Sequence, residues 1–150
     1  MDGVFPLTIY YESQCPLCDA EMTNLRLRDS RGLLRFSDVC APGFDDVPPG
    51  ASYDDLLECI HARRADGAVV KGVEVFRLAY HAVGMSWVAA LTRVPLLRGL
   101  CDRLYPVIAR NRHRFPRFVV YLFFETFVRR AAERAAVRAR CNSESCDSTH

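Results

Sequence analysis

The sequence predicts an α/β fold: a β-α-β unit, then a β-β-α unit, then an all-helical C-terminal extension. Three observations predict it. Leu7-Thr8-Ile9-Tyr10-Tyr11 is a β-branched and aromatic run that passes, after a short turn, into helix-forming sequence. Asp66-Gly67 sits between two short apolar runs and is a hairpin turn signal. Beyond Gly84 the apolar residues recur at helical spacing and prolines punctuate them.

The first strand covers residues 5–11, and Glu12-Ser13-Gln14 turns the chain. Cys15 stands at the N-cap of the first helix and Pro16 at its first position, where a missing N–H does no harm. That helix runs to about Asp29, puts Cys18, Met22 and Leu25 on one face, and has Gly32 as its C-cap. Asp19 and Glu21 suit the helix dipole but bring negative charge near Cys15. Leu33–Val39 is the second strand, with Leu34 and Phe36 on one face. A right-handed crossover makes it parallel to the first.

Pro42, Gly43, Pro48, Pro49 and Gly50 mark residues 40–52 as loop. Ser52 caps a short helix that has Asp54 and Asp55 in its first turn. Cys59–Arg64 and Ala68–Lys71 form the antiparallel hairpin. A third helix over 73–83 buries Val73, Phe76, Tyr80 and Val83, with Arg77 and His81 pointing elsewhere and Gly84 as its cap. Further helices cover 87–92 and 96–105. The second of these stops at Pro106 and continues after a kink over 107–112. A long helix spans 116–140. The domain expectation is a core of residues 1–84, C-terminal helices over 85–140 packed on or extending from it, and a flexible tail, 141–150.

Composition narrows the classes. Half the residues are apolar and a quarter charged, a globular composition. Seven cysteines in 150 residues fall below the density of a disulfide scaffold. No run of eighteen apolar residues predicts a spanning helix. Met1–Pro6 has neither the basic nor the apolar part of a secretory leader, so a reducing, cytoplasmic compartment is expected. Residues 1–76 hold thirteen acids against seven bases, and residues 77–150 hold five against thirteen. The C-terminal half therefore presents a basic surface.

Cys15-Pro16-Leu17-Cys18 carries the chemistry. The thiolate is the nucleophile, and a helix N-terminus offers unpaired N–H groups and partial positive charge that stabilise it. Cysteines so placed titrate from ~3.5 to ~7.5. Cys15 is expected to attack a disulfide, and Cys18, one turn on and more buried, to resolve the mixed disulfide. A zinc half-site needs a second pair or a Cys/His partner set, and no second CxxC exists. No cofactor and no metal are expected. Cys40, after the second strand, is a candidate third redox thiol, and Cys141 with Cys146 a candidate shuttle; Cys59 and Cys101 read as core.

The expected partner is a disulfide- or thiol-containing protein or a small thiol. Nucleic acid is not expected, because the basic run around His113 has no aromatic platform. Phe118–Phe124, flanked by Arg117 and by Arg129-Arg130, leaves two readings open: packing or homodimer contact, and peripheral contact with an anionic membrane. The rival to an enzyme is a binding module that docks through this basic helix, its CxxC vestigial or holding a metal.

The β-α-β, β-β-α order is that of thioredoxin-like proteins, although Asp54–Glu58, ahead of the third strand, lacks the proline usual there. The chain resembles the DCC thiol–disulfide oxidoreductase family of small thioredoxin-like proteins. The resemblance rests on Tyr11-Glu12-Ser13-Gln14-Cys15-Pro16-Leu17-Cys18, on Asp66-Gly67-Ala68-Val69-Val70-Lys71-Gly72, and on Tyr105-Pro106-Val107-Ile108-Ala109-Arg110-Asn111-Arg112. It covers roughly residues 5–115. It implies thiol–disulfide exchange through Cys15 and Cys18, with Glu12 at the position of the family's aspartate, where a carboxylate can accept the resolving thiol's proton. Ser13 replaces the family's glycine.

Overall fold

The computed structural model describes residues 3–91 and 95–111, with residues 129, 130, 133, 134 and 137. In chain order the elements are β1 (Leu7–Tyr11), α1 (Pro16–Arg28), β2 (Leu34–Asp38), α2 (Tyr53–Glu58), β3 (His61–Arg63), β4 (Val69–Lys71), α3 (Val73–Ala82), α4 (Ser86–Leu91) and α5 (Pro95–Asn111). The strands form one mixed sheet in the order β2-β1-β3-β4. β1 and β2 are parallel, with Leu7 beside Leu34 and Tyr11 beside Asp38. β3 is antiparallel to both neighbours, pairing His61 with Tyr10 and with Lys71. This is a thioredoxin-like α/β fold.

The pleat divides β1 between two cores. Leu7, Ile9 and Tyr11 face a cluster with Met22 and Leu25 of α1, Ala62 of β3, and Val75, Ala79 and Ala82 of α3. Tyr10 faces the other side and packs with Val39 and Leu56, with Cys40, Phe44 and Leu57 around them. Alternation of side chains along a strand requires this split, and it makes β1 the layer shared by both cores. Tyr10 is further clamped by polar contacts. Its hydroxyl donates to Asp46 at 3.1 Å, and Asp46 is held by both guanidinium nitrogens of Arg63. Burial first, and Asp46 second, push the Tyr10 phenol up to about 12.

Local signals set most boundaries. Ser52 and Asp55 cap α2 reciprocally: the Ser52 side chain takes the Asp55 N–H, and the Asp55 carboxylate takes the Ser52 N–H. Gly67, at φ 86°, turns the hairpin. Gly72, at φ 66°, turns β4 into α3. A Cβ there would meet the Tyr105 ring at 3.4 Å and Cys59 Sγ at 3.9 Å, ordinary contact distances, so it is the positive φ that favours glycine.

Four expectations need correction. α1 ends at Arg28 close to the expected bound, but its C-cap is Asp29 and not Gly32, because the Asp29 carboxylate accepts the N–H groups of Leu33 and Leu34. The buried stripe of α3 is Val75, Ala79 and Ala82, with Phe76, Tyr80 and Val83 only partly buried around it. Arg77, expected to point away, is buried and pairs with Glu74 at 3.0 Å. α5 passes through Pro106 without stopping. Tyr105 holds the helix there: its hydroxyl oxygen accepts the Ile60 N–H at 3.0 Å and its ring meets Phe76.

The expected helix over 116–140 lies outside the described residues except at the positions named, where Arg129 pairs with Glu133 at 2.9 Å. Cys141, Cys146, His113, Phe118–Phe124 and the Cys101 side chain also lie outside them. Among the described residues no helix is long and apolar enough to cross a membrane.

Candidate active site

Strand polarity builds the site. β1 and β2 end at the same edge of the sheet, and β3 begins there. That edge gathers the turn after β1, the loop after β2 and the segment before β3. The Cys15 N–H donates to the Glu12 carbonyl at 3.2 Å, which closes the turn and sets Cys15 at the mouth of α1.

Cys15 is the N-cap of α1, in extended backbone, and Pro16 follows as the first helical residue. The Cys15 sulfur accepts the Cys18 N–H at 3.4 Å and the Cys18 S–H at 2.8 Å. Two donors and the positive end of the helix thus converge on one sulfur. Each favours its anionic form. Cys15, Cys18, Cys40 and Cys59 are not in disulfides.

Burial of the pair is the reverse of the sequence expectation. Cys15 is 0 % exposed and Cys18 is the half-buried one. The capping contact explains the order: the Cys15 side chain folds back over the first turn to meet the Cys18 N–H, whereas Cys18 sits on the turn itself. Cys15 nonetheless belongs to neither apolar cluster. It is covered, but it keeps its place at the helix start.

Glu12 is 8 % exposed, so it is no solvated turn residue. Glu21 is turned to Tyr80 of α3. It is buried and accepts the Tyr80 hydroxyl at 2.6 Å, and burial pushes its carboxyl up despite the hydrogen bonds from Tyr80 and Asn24. Burial and the adjoining Glu21 push Tyr80 up in turn.

Asp38, at the end of β2, is the residue that sequence reasoning missed. Its Oδ1 accepts the N–H of Ser13 at 3.1 Å and of Cys40 at 3.0 Å. One oxygen therefore ties the turn before Cys15 to the loop that carries Cys40. Burial raises the Asp38 carboxyl, but the Ser13 and Cys40 hydrogen bonds and the charge of Arg26 outweigh it and hold it below the usual range. Arg26 is fixed by stacking over Phe36 and Tyr11 and by donating to the Tyr11 hydroxyl at 2.8 Å. An aspartate closing a strand is an unremarkable residue in sequence; only the parallel register sets it beside Tyr11.

Cys40 is thus placed at the same edge as the pair. Cys59 is not the core residue expected: it is half-buried, before β3, on the wall of an open groove. No cluster of three or more His, Cys, Asp or Glu with metal-binding geometry occurs among the described residues.

The fold is that of a thioredoxin-like protein, with two cysteines at the mouth of its first helix. A family model for DCC1-like thiol-disulfide oxidoreductases matches residues 9–118, and the chain belongs to that family. Membership supports a general thiol–disulfide oxidoreductase role. A chloroplastic protein of Arabidopsis thaliana, itself uncharacterized, is 35 % identical over 108 residues, which are 71 % of this chain and 50 % of that protein. The chain thus spans about half the length of the curated relative it matches. No solved structure matches it.

Proposed function

We propose that the protein exchanges disulfides through Cys15 and Cys18. The observation that carries this reading is the contact at the start of α1, where the Cys15 sulfur takes both the N–H and the S–H of Cys18. The Cys15 thiolate attacks one sulfur of a substrate disulfide. The substrate S–S bond breaks, the departing thiolate takes a proton, and a mixed disulfide forms on Cys15. Cys18 then loses its proton to Glu12 and attacks the Cys15 sulfur. The second half of the substrate leaves as a thiol, and Cys15 and Cys18 are left as a disulfide. A small thiol or a protein dithiol returns the pair to its reduced form.

Burial of Cys15 means that attack follows a local opening of whatever covers it. The test is reduction of insulin, with a small thiol as electron donor, by the wild-type chain and by Cys15→Ser. We expect turnover from the first and not from the second; equal rates would remove the proposal.

That same burial favours a second reading, a thioredoxin-like binding module with an idle CxxC. Wild-type protein that shows no turnover under any thiol donor, while its Cys15 stays unalkylated in the folded state, would select this one.

A further inference from the structure

α5 has two apolar faces, and the rest of the fold uses one of them. Tyr105 belongs to the inner face: its ring meets Phe76, its hydroxyl oxygen accepts the Ile60 N–H at 3.0 Å, and it packs against the main core. At about 100° per residue, Leu100, Leu104 and Val107 lie about 100–160° round the helix from Tyr105. They form a row at i, i+4 and i+7, and Ile108 adjoins it one turn beyond Leu104. These four residues are 52, 47, 57 and 43 % exposed, and none belongs to either apolar cluster. A helix packed on one face ordinarily turns polar residues outward. α5 turns leucine, valine and isoleucine outward instead, over more than two turns.

Positive charge borders the row on the side away from Tyr105. Arg103 and Arg110, seven residues apart, flank Val107 there, and both are exposed. Arg110 also lines a groove with Asp55 and Glu58, so Arg103 is the cation placed for the outer face. The C-terminal half of the chain has the same sign, with thirteen bases against five acids over residues 77–150. Four half-exposed aliphatic side chains offer roughly 350 Å², less than half of the ~800 Å² that each partner gives to a standard protein–protein interface. Pairing of two copies through this row alone would be weak. A lipid surface needs no matching relief: a helix lying in the headgroup layer sinks its apolar row, and arginines at the margin reach to phosphate.

We propose that the outer face of α5 docks the protein on an anionic phospholipid surface, with Leu100, Leu104, Val107 and Ile108 dipping into the interface and Arg103 meeting lipid phosphate. The contact is peripheral and reversible, since one short apolar row is far less than a spanning helix buries. It is joined to the sheet through Tyr105, which follows Leu104 in the chain and holds the Ile60 N–H just ahead of β3. Docking of this face is independent of exchange through Cys15 and Cys18, which stand at the start of α1.

The experiment is co-sedimentation of the full chain with sucrose-loaded vesicles, made of phosphatidylcholine alone or of phosphatidylcholine with phosphatidylglycerol, at low ionic strength. Wild type should pellet with the anionic vesicles, and added salt should release part of it. Arg103→Gln should lower the partition coefficient on those vesicles about 5-fold, the effect of one basic residue at such a surface. Leu104→Gln combined with Val107→Gln should lower it at least about 10-fold. Without lipid, wild type and the double variant should both sediment as monomers and share one urea midpoint, because both positions face outward. Failure of wild type to bind the anionic vesicles, equal binding to the two kinds of vesicle, or indifference to both sets of substitutions would overturn the proposal. So would a fall in the urea midpoint of the double variant, which would show the row packed inside the protein. A wild-type dimer that the double variant dissociates would overturn it too, by placing a second copy on this face.

Discussion

Replacing Cys18 by Ala removes one of the two donors that meet the Cys15 sulfur and leaves the other, the backbone N–H of residue 18, in place. A hydrogen bond to a charged group contributes about 1.5–3 kcal/mol. At 1.36 kcal/mol per unit, its loss should raise the Cys15 titration by about 1–2 pH units. Cys18→Ser restores a hydroxyl donor at the same position and should bring most of that shift back. The assay is the rate of iodoacetamide alkylation of Cys15 against pH, resolved by peptide mass spectrometry so that Cys18, Cys40 and Cys59 are read apart. The inflection is the readout rather than the plateau, because the burial of Cys15 slows its alkylation at every pH. Cys18→Ser should inflect near wild type, and Cys18→Ala higher than both. Equal inflections for Cys18→Ala and wild type would show that the S–H contact does not stabilise the thiolate, and the division of roles within the pair would lose its basis.

Three further outcomes follow from the same geometry. Glu21 has its carboxyl raised by burial, so its share of stability is present below the ordinary carboxylate range and fades as pH rises through the raised value. Glu21→Gln should therefore gain on wild type in urea midpoint as pH goes from acid to neutral; parallel profiles would refute this. Asp38 is held low, so its contribution is present above the ordinary range and is lost as pH falls through the lowered value. Asp38→Ala should lower stability by about 1–3 kcal/mol at neutral pH, with a smaller deficit in strong acid, and should slow exchange by loosening the turn before Cys15. Tyr105→Phe leaves the Ile60 N–H without its acceptor, which costs about 1–3 kcal/mol in a denaturant titration and should speed hydrogen exchange at Ile60; an unchanged Ile60 amide would show that α5 does not hold that strand.

Chain order and element type were legible because their signals are local. The run Leu7–Tyr11, the Ser52 cap and the Asp66-Gly67 turn each act over a few residues, and each appears where the sequence puts it. The Cys15-Pro16 start of α1 is legible for the same reason: capping is a contact between neighbours. The stripe of α3 was less so, since Phe76, Tyr80 and the Val75–Ala79–Ala82 row are all apolar and helical spacing alone does not choose among them. Small residues took the contact with the sheet because Val75 and Ala79 let the helix lie closer to β1 and β3.

By itself, then, the sequence determined that a dithiol would cap a helix behind a strand, within an α/β chain of this order. Only the tertiary structure decided which sulfur is covered, that Asp38 ties the turn before Cys15 to the loop of Cys40, and that Cys59 stands half-buried beside Tyr105. Those facts depend on partners 25 to 46 residues away in the chain, joined by strand register and by the docking of Tyr105. No residue type or spacing along the sequence encodes a contact whose two halves meet only when the sheet has formed.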